Sequence, residues 1–222
     1  AQSLSSGNGL AKNPGEAIKW FEKSAAQGNS DALYALGYMH YFGYNVPVDY
    51  AKAIPLLQQA SDKGNRQALT TLAFAYASGT GVAKDEKKAF ELFEKAAIEN
   101  ERSAQYYLGK MLQEGIGTRR DVTKGLAWIE KSAKAGYKDA QFAMGINALR
   151  GKNHLENMDE ARHWFRLAAS QNHAEAQYML GTSYFLGELT PENQKEGIFW
   201  WGKAAALNYT EAQLMLFKYH CD

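Results

Sequence analysis

The chain carries a single cysteine, Cys221, so it can form no internal disulfide and hold no cysteine-based zinc site. No stretch approaches the roughly 18 apolar residues that a bilayer-crossing helix needs. Charge of one sign is also missing: the net charge is +1, which gives no broad field for nucleic acid or an anionic membrane. The one adjacent arginine pair, Arg119 and Arg120, reads as part of a solvated loop. The opening "AQSLSSGNGLAKN" has neither a basic stretch nor an apolar one, so no signal peptide is visible in it.

Residues that carry chemistry are equally sparse. The histidines are His40, His154, His163, His173 and His220, and none pairs with another at the three-to-five spacing of metal ligands. No G-x-S-x-G elbow, P-loop or dinucleotide fingerprint occurs. Carboxylates such as Asp85, Glu86, Glu91 and Glu94 suit helix caps and exposed helix faces, with nothing to gather two of them in an apolar pocket. These absences argue against an enzyme and against a metal or other cofactor. His40 is expected to be a packed histidine with its hydrogen bonds satisfied.

What the chain has is a repeat. Alanine recurs at Ala32, Ala68, Ala104, Ala140, Ala176 and Ala212, a spacing of 36 without insertion or deletion. Gly37, Ala73, Gly109, Gly145 and Gly181 follow five residues later, and Gly43, Gly79, Gly115, Gly151 and Gly187 six after those. Ala17, Ala53, Ala89, Gly125, Ala161 and Gly197 keep the same period, as do Trp20, Leu56, Leu92, Trp128, Trp164 and Trp200. Several columns held in register over six copies define a solenoid.

Each unit reads as two helices. Apolar residues at spacings of three and four, as in Leu33, Leu36 and Met39, mark the first. It should close at the second glycine column, where a left-handed residue needs no Cβ. The second helix opens on Asn13, Asp49, Asp85, Asp121, Asn157 or Asn193, all N-cap types. It should close at Gly28, Gly64, Asn100, Gly136, Asn172 or Asn208. Predicted first helices span 30–42, 66–78, 102–114, 138–150, 174–186 and 210–220; second helices span 14–27, 50–63, 86–99, 122–135, 158–171 and 194–207. The small columns allow close backbone approach, with the Trp/Leu column filling the space beside them. Pro55 breaks the pattern inside a second helix and should kink it.

The combination of the alanine column, Leu108-Gly109 and Leu180-Gly181, "GTGV" before Asp85 and "KAFELFEKAA" resembles the Sel-one-like repeat family, relatives of the tetratricopeptide repeat. The resemblance runs the length of the chain. It implies an all-α, right-handed α/α superhelical solenoid of 36-residue helix-turn-helix repeats, a single domain over residues 1–222 with partial repeats at both ends. It also implies first helices on the concave side, a non-catalytic adaptor or scaffold role, and a partner protein. Many family members are exported bacterial proteins, which slightly favours a periplasmic or secreted location. A cysteine-rich branch associated with β-lactams has helix pairs linked by disulfides, and that association does not transfer to a chain without those cysteines. The ends lack evident polar capping helices, so further repeats or another molecule are expected to cover one of them.

The period also sorts the aromatic stretch "YALGYMHYFGY", Tyr34 to Tyr44. Leu36 falls in a column that stays apolar, whereas the columns of Tyr38, Tyr41 and Phe42 admit lysine, glutamine, serine and glutamate elsewhere, so those positions should be surface. Tyr34, Tyr38, Tyr41 and Phe42, extended by Phe74, form one expected patch. Phe142, Ile146, Leu149 and Arg150, with Phe185 and Leu186, form a second, weaker one. Two readings stand for these rings: anchors for a partner protein, or rings packed on one another inside a narrow superhelix. A glycan or small-molecule receptor is the alternative function, since exposed rings also stack on sugars.

Overall fold

The computed structural model describes residues 14–150, 157–185 and 190–221. Among them the regular structure is helical, with no strand. The helices fall in pairs: α1 (Pro14–Ala26), then α2 (Ser30–Phe42) and α3 (Tyr50–Asp62), then α4 (Arg66–Ser78) and α5 (Glu86–Ile98). They continue with α6 (Arg102–Glu114) and α7 (Val122–Lys134), α8 (Lys138–Leu149) and α9 (Met158–Ser170), α10 (Ala174–Phe185) and α11 (Pro191–Ala206), and finally α12 (Thr210–Cys221). All-α repeat architecture is therefore the observed fold. The chain forms two compact units, Ala1–Gly125 and Leu126–Asp222.

Both expected stop columns work as such among the described residues; Gly151 and Gly187 lie outside them. Gly43, Gly79 and Gly115 follow first helices at φ of 71°, 74° and 76°, each donating its N–H to a carbonyl of the last turn. After second helices, Gly28, Gly64 and Gly136 alternate with Asn100, Asn172 and Asn208, and all six have positive φ. Asparagine serves there because it tolerates the left-handed region better than other residues with a Cβ.

The N-cap column holds in part. Asp49, Asp85 and Asp121 accept from the backbone N–H of Lys52, Lys88 and Lys124 at 3.1, 2.9 and 2.9 Å. Asn13 lies outside the described residues. Asn157 precedes α9 with φ −95° and ψ −1° and makes no side-chain cap bond, because that backbone is not the extended one that aims a cap. Asn193 lies inside its helix: α11 starts at Pro191, and the Thr190 hydroxyl accepts the Asn193 N–H at 3.2 Å. Proline with its φ preset at the first helical position, behind a threonine, overrides the periodic register. Pro55 does not end α3, which continues to Asp62.

A second cap column lies at the starts of first helices. Asn29, Asn65 and Glu101 accept from the N–H of Ala32, Ala68 and Ala104, and His173 Nδ1 does so from Ala176 at 3.1 Å. The histidine makes that cap titratable. Burial pushes its pKa below the ordinary 6.5, against the pull of Asp139, 3.4 Å from Nε2, and of Glu175. The unfolded chain then takes up the proton more readily, so this contribution is complete above pH ~6.5 and is lost as pH falls below it. Urea melts of His173→Asn, which keeps an acceptor that cannot titrate, should show a flatter pH dependence between about 7 and 5. The wild-type loss over that range should be up to about 1 kcal/mol, the worth of a cap.

The core is built one position away from the Trp/Leu column. Leu57, Phe93, Ile129, Phe165 and Trp201 are buried, whereas Leu56, Leu92, Trp128, Trp164 and Trp200 are half-buried and Trp20 is exposed. The reason is helical geometry: Leu57 stands four residues after Ala53 and three before Ala60, on one seam, and Leu56 lies about 100° round from it. In the first unit Leu33, Leu57, Leu72 and their alanine neighbours form one cluster. In the second, Phe165 and Leu180 centre one cluster and Trp201 another. The small column is required by contact: a Cβ on Gly37 would meet Leu57 at 2.8 Å, and one on Gly181 would meet Trp201 at 2.6 Å.

Buried glutamines form a further column. Gln105, Gln141 and Gln177 donate Nε2–H to the carbonyls of Ala97, Ala133 and Ala169 at 3.2, 3.2 and 3.0 Å, tying each first helix to the end of the preceding second helix. Gln105 and Gln177 leave Oε1 buried without a partner. Two repeats carry Leu33 and Leu69 there instead. Gln177→Leu is therefore expected to raise stability by about 1 kcal/mol, since it removes an unsatisfied acceptor while Ala169 keeps the N–H of Asn172. Chemical denaturation of the two proteins side by side reads the difference.

Candidate functional site

Tyr34, Tyr38 and Phe42 stand four residues apart on α2, so their rings fall on one helix face. Ring centroids are 5.7 Å apart between Tyr34 and Tyr38 and 4.5 Å between Tyr38 and Phe42. The ladder opens outward: Tyr34 is half-buried, Tyr38 is 39% exposed and Phe42 52% exposed. Burial, then the neighbouring Tyr38 phenol, raises the Tyr34 pKa above the ordinary tyrosine value against an opposing hydrogen bond with Thr71.

Tyr41 corrects the surface expectation. It is buried within the core cluster around Leu57, edge-on to Phe42 at 4.9 Å and to Tyr50 at 5.4 Å. Its column admits glutamine elsewhere, yet here the ring turns inward and supports the ladder from below. Further exposed apolar side chains follow in sequence at Tyr44, Val48 and Tyr50. Periodic reasoning passed over these because they lie beyond helix-ending Gly43; only the unusual density of aromatics in 34–50 pointed to them.

Phe74 belongs to a second aromatic cluster. It is half-buried and meets Phe93 at 5.1 Å and Tyr107 at 4.5 Å, both edge-on. The weaker expected patch is likewise drawn into packing. Phe142 stacks on His173 at 4.7 Å and leans on Phe165, and Ile146 and Leu149 pack beside it. Phe185 lies flat on Trp201, 4.4 Å away with the planes at 2°. Arg150 alone of that group is exposed, and Leu186 lies outside the described residues. Those side chains are half-buried because the next helix in each case covers them.

No group of three His, Cys, Asp or Glu among the described residues is placed to hold a metal ion. None of the described helices is long and apolar enough to cross a membrane. His40 corrects another expectation: its Nδ1 is buried with no hydrogen-bond partner.

Helix pairs at a fixed 36-residue period define a helical-repeat solenoid protein of the scaffold kind. The family model for the Sel1 repeat matches residues 1–29, 30–65, 67–100, 102–137, 138–173 and 174–209, and the chain belongs to that family. A Sel1 repeat protein from Oxalobacter formigenes has a similar structure over 97% of this chain and 62% of its own, with 30% identity and a TM-score of 0.86. A protective antigen with the same fold from uropathogenic Escherichia coli matches 97% of this chain and 46% of its own, at 29% identity and TM-score 0.69. The chain thus spans less than two thirds of either relative. An immunity protein from Pseudomonas aeruginosa shares the fold alone, at 18% identity, with 91% and 77% of the two chains covered and a TM-score of 0.62. Comparison with curated proteins gave no match.

Proposed function

We propose that this chain is a non-catalytic scaffold that binds a segment of another protein on the aromatic face of α2. The observation that carries the reading is the ladder of Tyr34, Tyr38 and Phe42, with Tyr44 and Tyr50 also exposed a few residues on. Clustered rings of this kind bury a large area with few rotatable bonds, which is why aromatic residues dominate the energetics of interfaces. The surrounding packing holds them in place: Tyr41 is fixed in the core and buttresses Phe42. Family membership supports the scaffold role, and the half-buried state of Phe142 and Phe185 favours the first unit for the main contact.

A photo-reactive phenylalanine analogue at position 38 tests the site in cells that express the natural protein. It should cross-link to one dominant protein, and Phe42→Ala should suppress that product. Cross-linking spread over many proteins, or unchanged by Phe42→Ala, would remove the ladder as the docking surface.

A further inference from the structure

One face of α12 is open. Ala212, Met215 and Leu216 turn inward onto Trp201 and Ala204. At about 100° per residue, Leu214, Phe217 and Cys221 fall on the opposite side of the helix. All three are exposed, Leu214 at 54% and Phe217 at 68%. In the preceding repeat that side is the seat of the next second helix: Gly181 and Phe185, in the columns of Phe217 and Cys221, pack against Trp201 of α11.

Phe217 closes that seat to another helix of the repeat. Its column otherwise holds Gly37, Ala73, Gly109, Gly145 and Gly181. A Cβ alone on Gly145 would meet the Phe165 ring at 2.5 Å, and one on Gly181 would meet Trp201 at 2.6 Å and the Gly197 carbonyl at 2.9 Å. A whole benzyl group at 217 therefore holds off any helix docked as α11 docks on α10. Leu214 and Phe217 can be covered only by a helix at a wider spacing, whose side chains leave room for the ring. The charges beside them narrow the choice. Glu211 and Lys218 are exposed, two turns apart on one edge of the apolar strip, with Leu214 between them. This order is self-complementary. An antiparallel copy of α12, related by a two-fold axis beside Leu214, sets Glu211 of each helix against Lys218 of the other. A parallel copy would oppose Glu211 to Glu211 and Lys218 to Lys218.

We infer that the open face of α12 is the interface of a two-fold, antiparallel dimer of this chain. The two Leu214 side chains meet at the axis, each Phe217 enters the gap between Thr210 and Leu214 of the other copy, and the Glu211–Lys218 pairs lie along the edge. A single helix face is at the small end of specific interfaces, so the dimer is weak and reversible. The inference stands independently of the aromatic ladder on α2.

Sedimentation equilibrium of the whole chain tests this. The average mass should rise towards twice that of the chain as concentration is raised to about 1 mM, the range of a weak complex, and Leu214→Asp should abolish the rise. Glu211→Lys and Lys218→Glu each oppose like charges at both ends of the interface, so each should weaken association roughly tenfold. The double exchange should restore it. Cys221 supplies a ruler: its two copies lie on opposite sides of the axis, with Cα atoms about 20 Å apart at 1.5 Å of rise per residue. Nitroxide labels on Cys221 should report a spacing of that order, and no disulfide should join the copies. A constant monomer mass would overturn the inference and leave the face to a different protein or to another segment of the chain. Association undiminished by Leu214→Asp, not restored by the double exchange, or accompanied by a ready Cys221 disulfide would overturn it equally. If Leu214→Asp loses its helical circular dichroism, the charge exchanges decide.

Discussion

Phe165→Ala should cost about 3–5 kcal/mol of stability, the range for removing a fully buried aromatic ring. The side chain has no exposed surface and centres the cluster formed with Ala161, Ala168 and Leu180. It lies so close to α8 that a Cβ on Gly145 would come within 2.5 Å of the ring. Neighbouring backbones held at that distance cannot readily close over the cavity left behind. Trp164→Ala, at the adjacent and half-buried position, should cost only about 1–2 kcal/mol despite the larger side chain, because much of its surface is wet already. Urea unfolding of both variants reads the contrast. Equal losses would mean that the helix seam runs through the Trp/Leu column after all.

The second large effect concerns binding. With the cross-linked partner in hand, Tyr38→Ala combined with Phe42→Ala should weaken its binding by roughly 2–4 kcal/mol, as for a pair of central aromatic anchors. The fold should survive, since both rings are exposed and their columns hold Lys110, Thr182, Ser78 and Glu114 in other repeats. Leu108→Ala provides the opposite pattern: a fully buried leucine whose loss should cost about 2–5 kcal/mol of stability without touching the ladder. Circular dichroism melts beside affinity measurements separate the two. If the Tyr38/Phe42 double change unfolds the chain, the ladder serves packing and the proposed surface falls.

Helix positions were legible in the sequence because stop and start signals recur in fixed columns, each with a local backbone cause. Asn100, Asn172 and Asn208 could be equated with glycines by their tolerance of positive φ alone. Where a non-periodic residue intervened, as at Thr190 and Pro191, local cap chemistry outweighed the repeat. Burial was harder to read. Column variability identified Tyr38 and Phe42 correctly as exposed, but it failed for Tyr41, whose ring is large enough to reach a core that Ala77 or Gln113 merely borders. The same limit hid the seam through Leu57 and Phe93: a Trp/Leu column looks more like core than the one beside it, until the spacing to the alanine column is counted. The unsatisfied His40 needed coordinates, because the absence of a partner depends on how far a neighbouring side chain reaches.

The placement of Trp201 has a bearing on how unfolding will look spectroscopically. Four of the five tryptophans, Trp128, Trp164, Trp200 and Trp201, fall in the unit from Leu126 onward, and the first unit has only Trp20, already exposed. Trp201, shielded and stacked on Phe185, should emit at short wavelength and resist iodide quenching, whereas Trp20 should be quenched freely. Emission intensity therefore follows the second unit almost exclusively. Melting of the first unit, with its tyrosine-rich face, would pass nearly unseen in tryptophan fluorescence while ellipticity at 222 nm recorded it.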